Sequence, residues 1–255
     1  MPTIAGQRGA VLGKIGAIAA LASLLFPCTV QAETVHVAVA ANFTSVAEQL
    51  APLFKAQTGN DAIYSFGATG QLYTQITQGA PFEVLLAADD ERPTRAIAAG
   101  LAVEGTVFTY AIGALALYST TLDLDNGEAA LAANAFDKIA IADPDTAPYG
   151  RAAVQTIAAL GLGDTLAGKL VTGENIAQTL QFVESGNAEL GFVAASQVLG
   201  KAGVWRVPAR LYEPIRQDAV LLRIGEDNAA ARAYLAFLRS DAAVAVIEAA
   251  GYRVD

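Results

Sequence analysis

Short apolar runs, each followed at once by a small or polar turn and then by an amphipathic stretch, recur along most of this chain, and that rhythm admits few folds. Val35 to Ala40 reads VHVAVA, fit for a buried strand; the turn Asn42-Phe43-Thr44 follows, and a helical pattern runs on to Gln57. The unit repeats as Ala62 to Phe66, the turn Gly67-Ala68-Thr69-Gly70 and a helix from Gln71 to Gln78, and again as Val84 to Ala88 and a helix from Arg92 to Ala99. Strands alternating with helices predict an α/β fold with a parallel sheet and right-handed crossovers.

Two passages break the rhythm. Val107 to Ser119 is a longer strand-like stretch interrupted by Gly113, and Leu122 to Ala135 is irregular and acidic, long enough to pass from one lobe to another. The alternation then resumes with a strand from Lys138 to Ala142, the turn Asp143 to Gly150, helices from Arg151 to Leu160 and Asn175 to Glu184, and a strand from Leu190 to Ala194. A second strand-rich passage, Trp205 to Ile224, leads to helices Asn228 to Leu238 and Asp241 to Ala250. Two crossings imply two lobes joined by a double hinge. The expected division is 33–112 with 221–255 in the first lobe and 113–220 in the second.

Residues 1–32 read as a secretory signal peptide: Arg8 and Lys14, then the apolar run Ile15 to Phe26, then Val30-Gln31-Ala32 as a small-residue cleavage pattern. The run is shorter than the ~20 residues a membrane span needs. Acylation of Cys28 is disfavoured by the bulky Phe26-Pro27 before it. Cleavage near Glu33 predicts a chain of about 223 residues, soluble outside the cytoplasm, without a cysteine and held by its core alone. It also removes two bases and no acids, leaving 14 basic against 25 acidic side chains, a net of −11. So acidic a chain is a poor partner for nucleic acid. With one histidine, His36, and no cysteine left, zinc chemistry of the usual kind is not expected.

Chemistry in open α/β sheets collects where strands end and helices begin, because unpaired N–H groups there form a pocket of partial positive charge. Four turns carry hydroxyl or amide residues at such places: Asn42-Phe43-Thr44, Ser65 to Gly70, Pro148-Tyr149-Gly150 and Glu174-Asn175-Ile176. None has Lys or Arg at its tip, although Arg151 follows the third. Neutral donors at helix starts suit an oxyanion. Each turn taken alone is equally an ordinary helix cap; spacing does not show that the four converge.

The residues resemble the molybdate-binding proteins of ABC importers, two-lobed periplasmic binding proteins of type II. The resemblance rests on VAVAANFTSVAEQLAPLFKAQTG, YSFGATGQLYTQITQGAPFEVLLAADDERP, IADPDTAPYGRAA, GENIAQTLQFVESGNAELGFVAASQV and AFLRSDAAVAVIEAAGY, and spans nearly all of the chain beyond the signal. It implies a ligand cleft between two α/β lobes with a double-strand hinge. It implies molybdate or tungstate bound as a tetrahedral oxyanion, with no direct metal–protein ligands and no cofactor. The implied binding residues are Asn42 at the first turn, Thr69 at the second, and backbone N–H groups of Tyr149 and Ile176 at the third and fourth, with Ala41, Phe43 and Ala68 alongside. The implied partner is the membrane permease of an ABC transporter, the implied state a monomer, and no enzymatic activity is expected. Some relatives carry a donor Tyr after the Gly-x-Val strand, but Gly191-Phe192-Val193 is followed here by Ala194. Tyr149 or Asn42 is expected to replace that donor.

A rigid pocket of fixed donors cannot shorten every bond at once to grip the smaller sulfate, and the proton that phosphate carries near neutral pH would lack an acceptor. The alternatives are the same fold holding sulfate or thiosulfate, a secreted hydrolase using His36, and a cation receptor using Asp89 and Asp90. No G-x-S-x-G, P-loop or G-x-G-x-x-G after a strand supports an enzyme. Asp89-Asp90-Glu91 reads more simply as charge at a helix start, and Asp143-Pro144-Asp145 as turn chemistry. Trp205, Tyr212 and Tyr234 read as packing aromatics.

Overall fold

The computed structural model describes residues 1–6 and 32–254; the expected signal peptide falls largely outside the described residues. Residues Ala32–Asp255 cluster as one compact unit. Its first half runs β1 (Thr34–Ala40), α1 (Thr44–Thr58), β2 (Asp61–Gly67), α2 (Thr69–Thr77), β3 (Val84–Leu86), α3 (Glu91–Ala98), β4 (Phe108–Gly113) and β5 (Leu115–Tyr118). The second half continues with α4 (Gly127–Ala133), β6 (Ile139–Ala142), α5 (Pro148–Ala159), α6 (Gly163–Leu166), β7 (Leu170–Gly173), α7 (Ile176–Glu184) and β8 (Leu190–Ala194). It closes with β9 (Val204–Arg206), β10 (Ile215–Leu221), α8 (Ala229–Leu238) and α9 (Asp241–Ala249).

Two five-stranded sheets result, ordered β2-β1-β3-β10-β4 and β7-β6-β8-β5-β9. In the first, β1 pairs parallel with β2 and β3, while β10 pairs antiparallel with β3 and β4. In the second, β6 pairs parallel with β7 and β8, and β5 antiparallel with β8 and β9. Each sheet is therefore mixed rather than purely parallel. The expected alternation holds in the strand–helix–strand units, and β10 and β5, which run against it, are the strands reached by crossing. The crossings fall where the sequence is thinnest. β4 of one sheet ends at Gly113, Ala114 alone separates it from β5 of the other, and the return is complete at Ile215, ahead of the expected boundary at 221.

Burial follows the pattern of each run. Val35, Val37 and Val39 of β1 are fully buried, each worth roughly 1.5–3 kcal/mol of hydrophobic transfer, against Phe54 of α1 and Tyr234 and Phe237 of α8. Phe54 and Tyr234 meet edge to face at 5.1 Å. The second core gathers Leu115, Leu117, Ile139, Ile141 and Phe192, and Ala40, Ala41, Ala68 and Ala88 from the first sheet's side join it. Small residues thus let the two halves come close at the cleft. Gly59 at φ 78° ends α1 in the left-handed conformation that glycine adopts without strain.

Three elements differ from expectation. The acidic stretch 122–135 contains α4, capped by Asn126 Oδ1 accepting from the Ala129 N–H at 3.0 Å, with Leu131 buried beneath it. A Cβ on Gly127 would stand 2.3 Å from the Trp205 ring, so tertiary packing holds a helix there that the periodicity does not announce. The short β7 and α6 likewise have no expected counterpart, being four residues each. Among the described residues no helix is long and apolar enough to cross a membrane.

Candidate functional site

The carboxyl ends of β1, β2 and β6 point at one another across the gap between the sheets. They deliver a small cavity of about 10 Å³ lined by Ala40, Ala41, Asn42, Ala68, Thr69 and Ile176, with Gly67, Ala88 and the Ala147-Pro148-Tyr149 segment completing it. Asn42, Thr69, Tyr149 and Ile176 are thus brought to one place from four separate turns, with Ala41 and Ala68 beside them. None of the lining residues carries a charge.

Each turn presents donors for a local reason. A helix's first N–H groups have no acceptor within the helix. In α5 the first position is Pro148, which has no N–H, so Tyr149 supplies the first donor. In α7 the Asn175 side chain accepts from the Ala177 and Gln178 N–H groups at 3.0 and 3.1 Å, leaving the Ile176 N–H outside the cap. In α2 the Thr69 hydroxyl accepts from the Ala88 N–H at 3.0 Å, and its own proton remains to be donated. The Asn42 turn is one turn of 3-10 helix ahead of α1, pinned by Thr44 Oγ1 donating to the Ala41 carbonyl at 2.9 Å and by the Tyr252 hydroxyl donating to the Asn42 carbonyl at 2.9 Å.

The side chains expected to replace the donor missing at Ala194 are used otherwise. Asn42 Nδ2 donates to Gln217 Oε1 at 2.8 Å and to the Tyr252 hydroxyl at 2.9 Å, which occupies both of its protons. The Tyr149 hydroxyl accepts from Gln217 Nε2 at 3.2 Å and hydrogen-bonds to Tyr252. Tyr110 donates to Gln217 Oε1 at 3.2 Å, and Ser196 to Tyr252 at 2.9 Å. Burial pushes the Tyr149 and Tyr110 phenols well above their usual pKa and raises Tyr252, so this network at the hinge is neutral. Asn42 and Tyr149 therefore line the cavity while their polar side-chain ends build the hinge. Phe43 does not line the cavity: its ring turns inward, edge-on to Tyr110 at 4.9 Å and to Tyr252 at 5.4 Å.

Gln217, in mid-strand, and Tyr252, near the C-terminus, carry no motif that would have singled them out. Ala88, Ala147 and Gly67 line the cavity without any polar side chain, so only adjacency to the turns marks them.

The other candidates take structural roles. His36 lies near the start of β1, at the opposite end of that strand from the Asn42 turn, and is exposed; its N–H donates to Glu83 Oε2 at 2.8 Å. Asp89 is buried, pairs with the Arg92 guanidinium and accepts from the Arg92 N–H at 3.0 Å. Among the described residues no group of three or more His, Cys, Asp or Glu could hold a metal ion. Tyr234 is fully buried, Trp205 packs on the second core, and the Tyr212 hydroxyl accepts from the Leu115 N–H at 3.0 Å.

Residues 35–253 match the model of a bacterial extracellular solute-binding protein family. The chain belongs to that family. Among known relatives, this solute-binding protein is 51% identical over 242 residues to the molybdate-binding protein ModA of Azotobacter vinelandii, covering 92% of this chain and 96% of that one. It is 49% identical over 238 residues to ModA of Rhodobacter capsulatus, covering 92% and 94%. Its fold superposes on the periplasmic molybdate-binding protein of Azotobacter vinelandii with a TM-score of 0.84 at 39% identity, over 87% of this solute-binding protein and 99% of that structure.

Proposed function

We infer that this protein captures molybdate, and tungstate with it, between its two lobes and hands it to the membrane permease of an ABC importer, working as a periplasmic receptor rather than an enzyme. One observation carries the reading: an uncharged cavity walled by helix starts from both halves of the chain, with the Thr69 hydroxyl and the first N–H groups of α5 and α7 as donors. Such donors bind a dianion with no buried counter-charge to displace. They also offer no acceptor for a protonated oxyanion. Relatives that share half of the sequence bear the name of molybdate-binding proteins, which supports the ligand.

Molybdate and tungstate share charge and nearly share size, so both fit. Closure follows because an anion bridging the two lobes has more partners in the shut form than in the open one. The binding residues in this reading are Thr69 through its hydroxyl and Asn42, Tyr149 and Ile176 through their backbones.

Thermal denaturation of the exported chain with a panel of oxyanions tests it. Molybdate and tungstate at a hundredfold excess over Kd should raise Tm by roughly 5 to 10 °C, with sulfate and phosphate leaving it unchanged. Equal shifts from sulfate would overturn the proposed selectivity.

A further inference from the structure

Beside the cavity, but not lining it, the lobes touch through a second set of groups. The Gly70 N–H, the next donor along α2 after Thr69, is turned away to the carbonyl of Thr146 at 2.8 Å. Arg92 Nη2 reaches from α3 to the neighbouring carbonyl, that of Asp145, at 2.9 Å. Further out, Arg151 pairs with Glu91 at 3.3 Å, but both of these side chains are more than a third exposed and add little.

Both receiving carbonyls are held ready. The Asp143 carboxylate accepts from the Asp145 N–H at 3.0 Å and from the Thr146 hydroxyl at 3.0 Å, and the Asp143 carbonyl accepts from the Ala147 N–H at 2.8 Å. The turn read in the sequence as plain turn chemistry thus presents two successive carbonyls toward the other lobe. The giving side is equally fixed, because Asp89 clamps the Arg92 guanidinium in a buried pair. Gly70 leaves no slack: a Cβ there would stand 2.9 Å from Thr146 Cα and 3.1 Å from both the Thr146 carbonyl oxygen and Arg92 Nη2.

We propose that Gly70 and Arg92 form a clasp on the Asp145 and Thr146 carbonyls that holds the lobes shut independently of the ligand and sets how slowly a bound oxyanion escapes. The clasp joins elements of different sheets, so its bonds exist only while the lobes are together. Any free energy it contributes shifts the population toward the binding-competent form and multiplies the apparent affinity. Gly70 and Arg92 are positioning residues: they act through closure. The proposal rests on the function inferred above for its ligand, but its geometry does not.

Gly70→Ala is the test. Alanine suits the first turn of a helix better than glycine does, so the ligand-free chain should melt no lower than the parent. Its methyl group meets Thr146 only when the lobes shut. Stopped-flow release of molybdate should be at least about tenfold faster than from the parent. Without added anion, small-angle scattering should give the variant a larger radius of gyration than the parent. Arg92→Lys keeps a cation against Asp89 yet cannot serve Asp89 and the Asp145 carbonyl together, and should also release faster. Unchanged release in both variants overturns the clasp. If the parent binds no molybdate, the functional reading fails, and the clasp is judged by scattering alone: equal radii for the parent and Gly70→Ala overturn it.

Discussion

A β-carbon on Gly113 would stand 2.1 Å from the Tyr149 hydroxyl oxygen and 2.7 Å from Gln217 Nε2, so the last residue of β4 is glycine because a phenol from the other lobe lies against it. Gly113 takes no left-handed conformation; the constraint is space. The same phenol belongs to a residue that lines the cavity, which ties the crossing strand to the turn at the start of α5 by direct contact.

Gly113→Ala should therefore cost about 1–3 kcal/mol by overpacking. Part of that loss should be recovered in a Tyr149→Phe background, where the colliding oxygen is gone. A double-mutant cycle by chemical denaturation measures the coupling; strict additivity would show that the two groups do not meet.

Tyr149→Phe by itself should lower stability by about 1 kcal/mol, the usual cost of a lost buried hydrogen bond. Molybdate affinity should stay within about twofold, since the backbone N–H at this position is retained. Calorimetric titration beside denaturation separates the two, and a large loss of affinity with intact stability would place the phenol on the anion.

At position 69 the hydroxyl is the quantity to vary. Thr69→Val keeps the shape and removes the donor, and a hydrogen bond to a charged partner is worth about 1.5–3 kcal/mol, so affinity should fall by about tenfold or more. Thr69→Ser should bind nearly as well as the parent. Equal binding by the Val and Ser variants would remove Thr69 from the site.

Alkaline pH reads a different part of the first lobe. Burial raises the Tyr64 phenol from 10.0 to about 12, offset in part by the hydrogen bond that Tyr234 donates at 3.2 Å. Above pH 10 the unfolded phenol has shed its proton while the folded one keeps it, so the unfolded chain binds fewer protons and stability falls as pH rises. The contribution is whole below about pH 10 and lost towards about pH 12. Urea denaturation across that range should show the decline, and Tyr64→Phe should make it shallower, with the buried Tyr110, Tyr149 and Tyr252 phenols keeping the rest.

Much of the fold was legible because periodicity and burial agree. VHVAVA fits a buried strand, Leu190 to Ala194 is a strand at its expected bounds, and the chain changes sheet at Gly113-Ala114 rather than through 122–135, the stretch read as long enough for the passage. The candidate turns were legible too, because small or polar residues at strand ends leave helix starts open, but their convergence was not: no spacing in the sequence brings 42, 69, 149 and 176 together. What could not be read is where polar side chains go once backbones converge. Asn42 looks like a ligand at a turn; its amide is drawn off by Gln217 and Tyr252, partners 175 and 210 residues away that no local pattern links to it. The helix in 122–135 stayed hidden for the same reason, being held by Trp205 from a distant strand.

The direction of the strands settles more than the shape of the cleft. With β1, β2 and β6 all ending at the same cavity, every helix that follows them turns its electropositive end inward, each equivalent to about half an elementary charge. Replacing a residue of the lining would retune the radius accepted, yet a cation would still meet an opposing field from several sides at once. On the function proposed above, chain topology sets the sign of the cargo's charge, and the side chains are left to discriminate among anions.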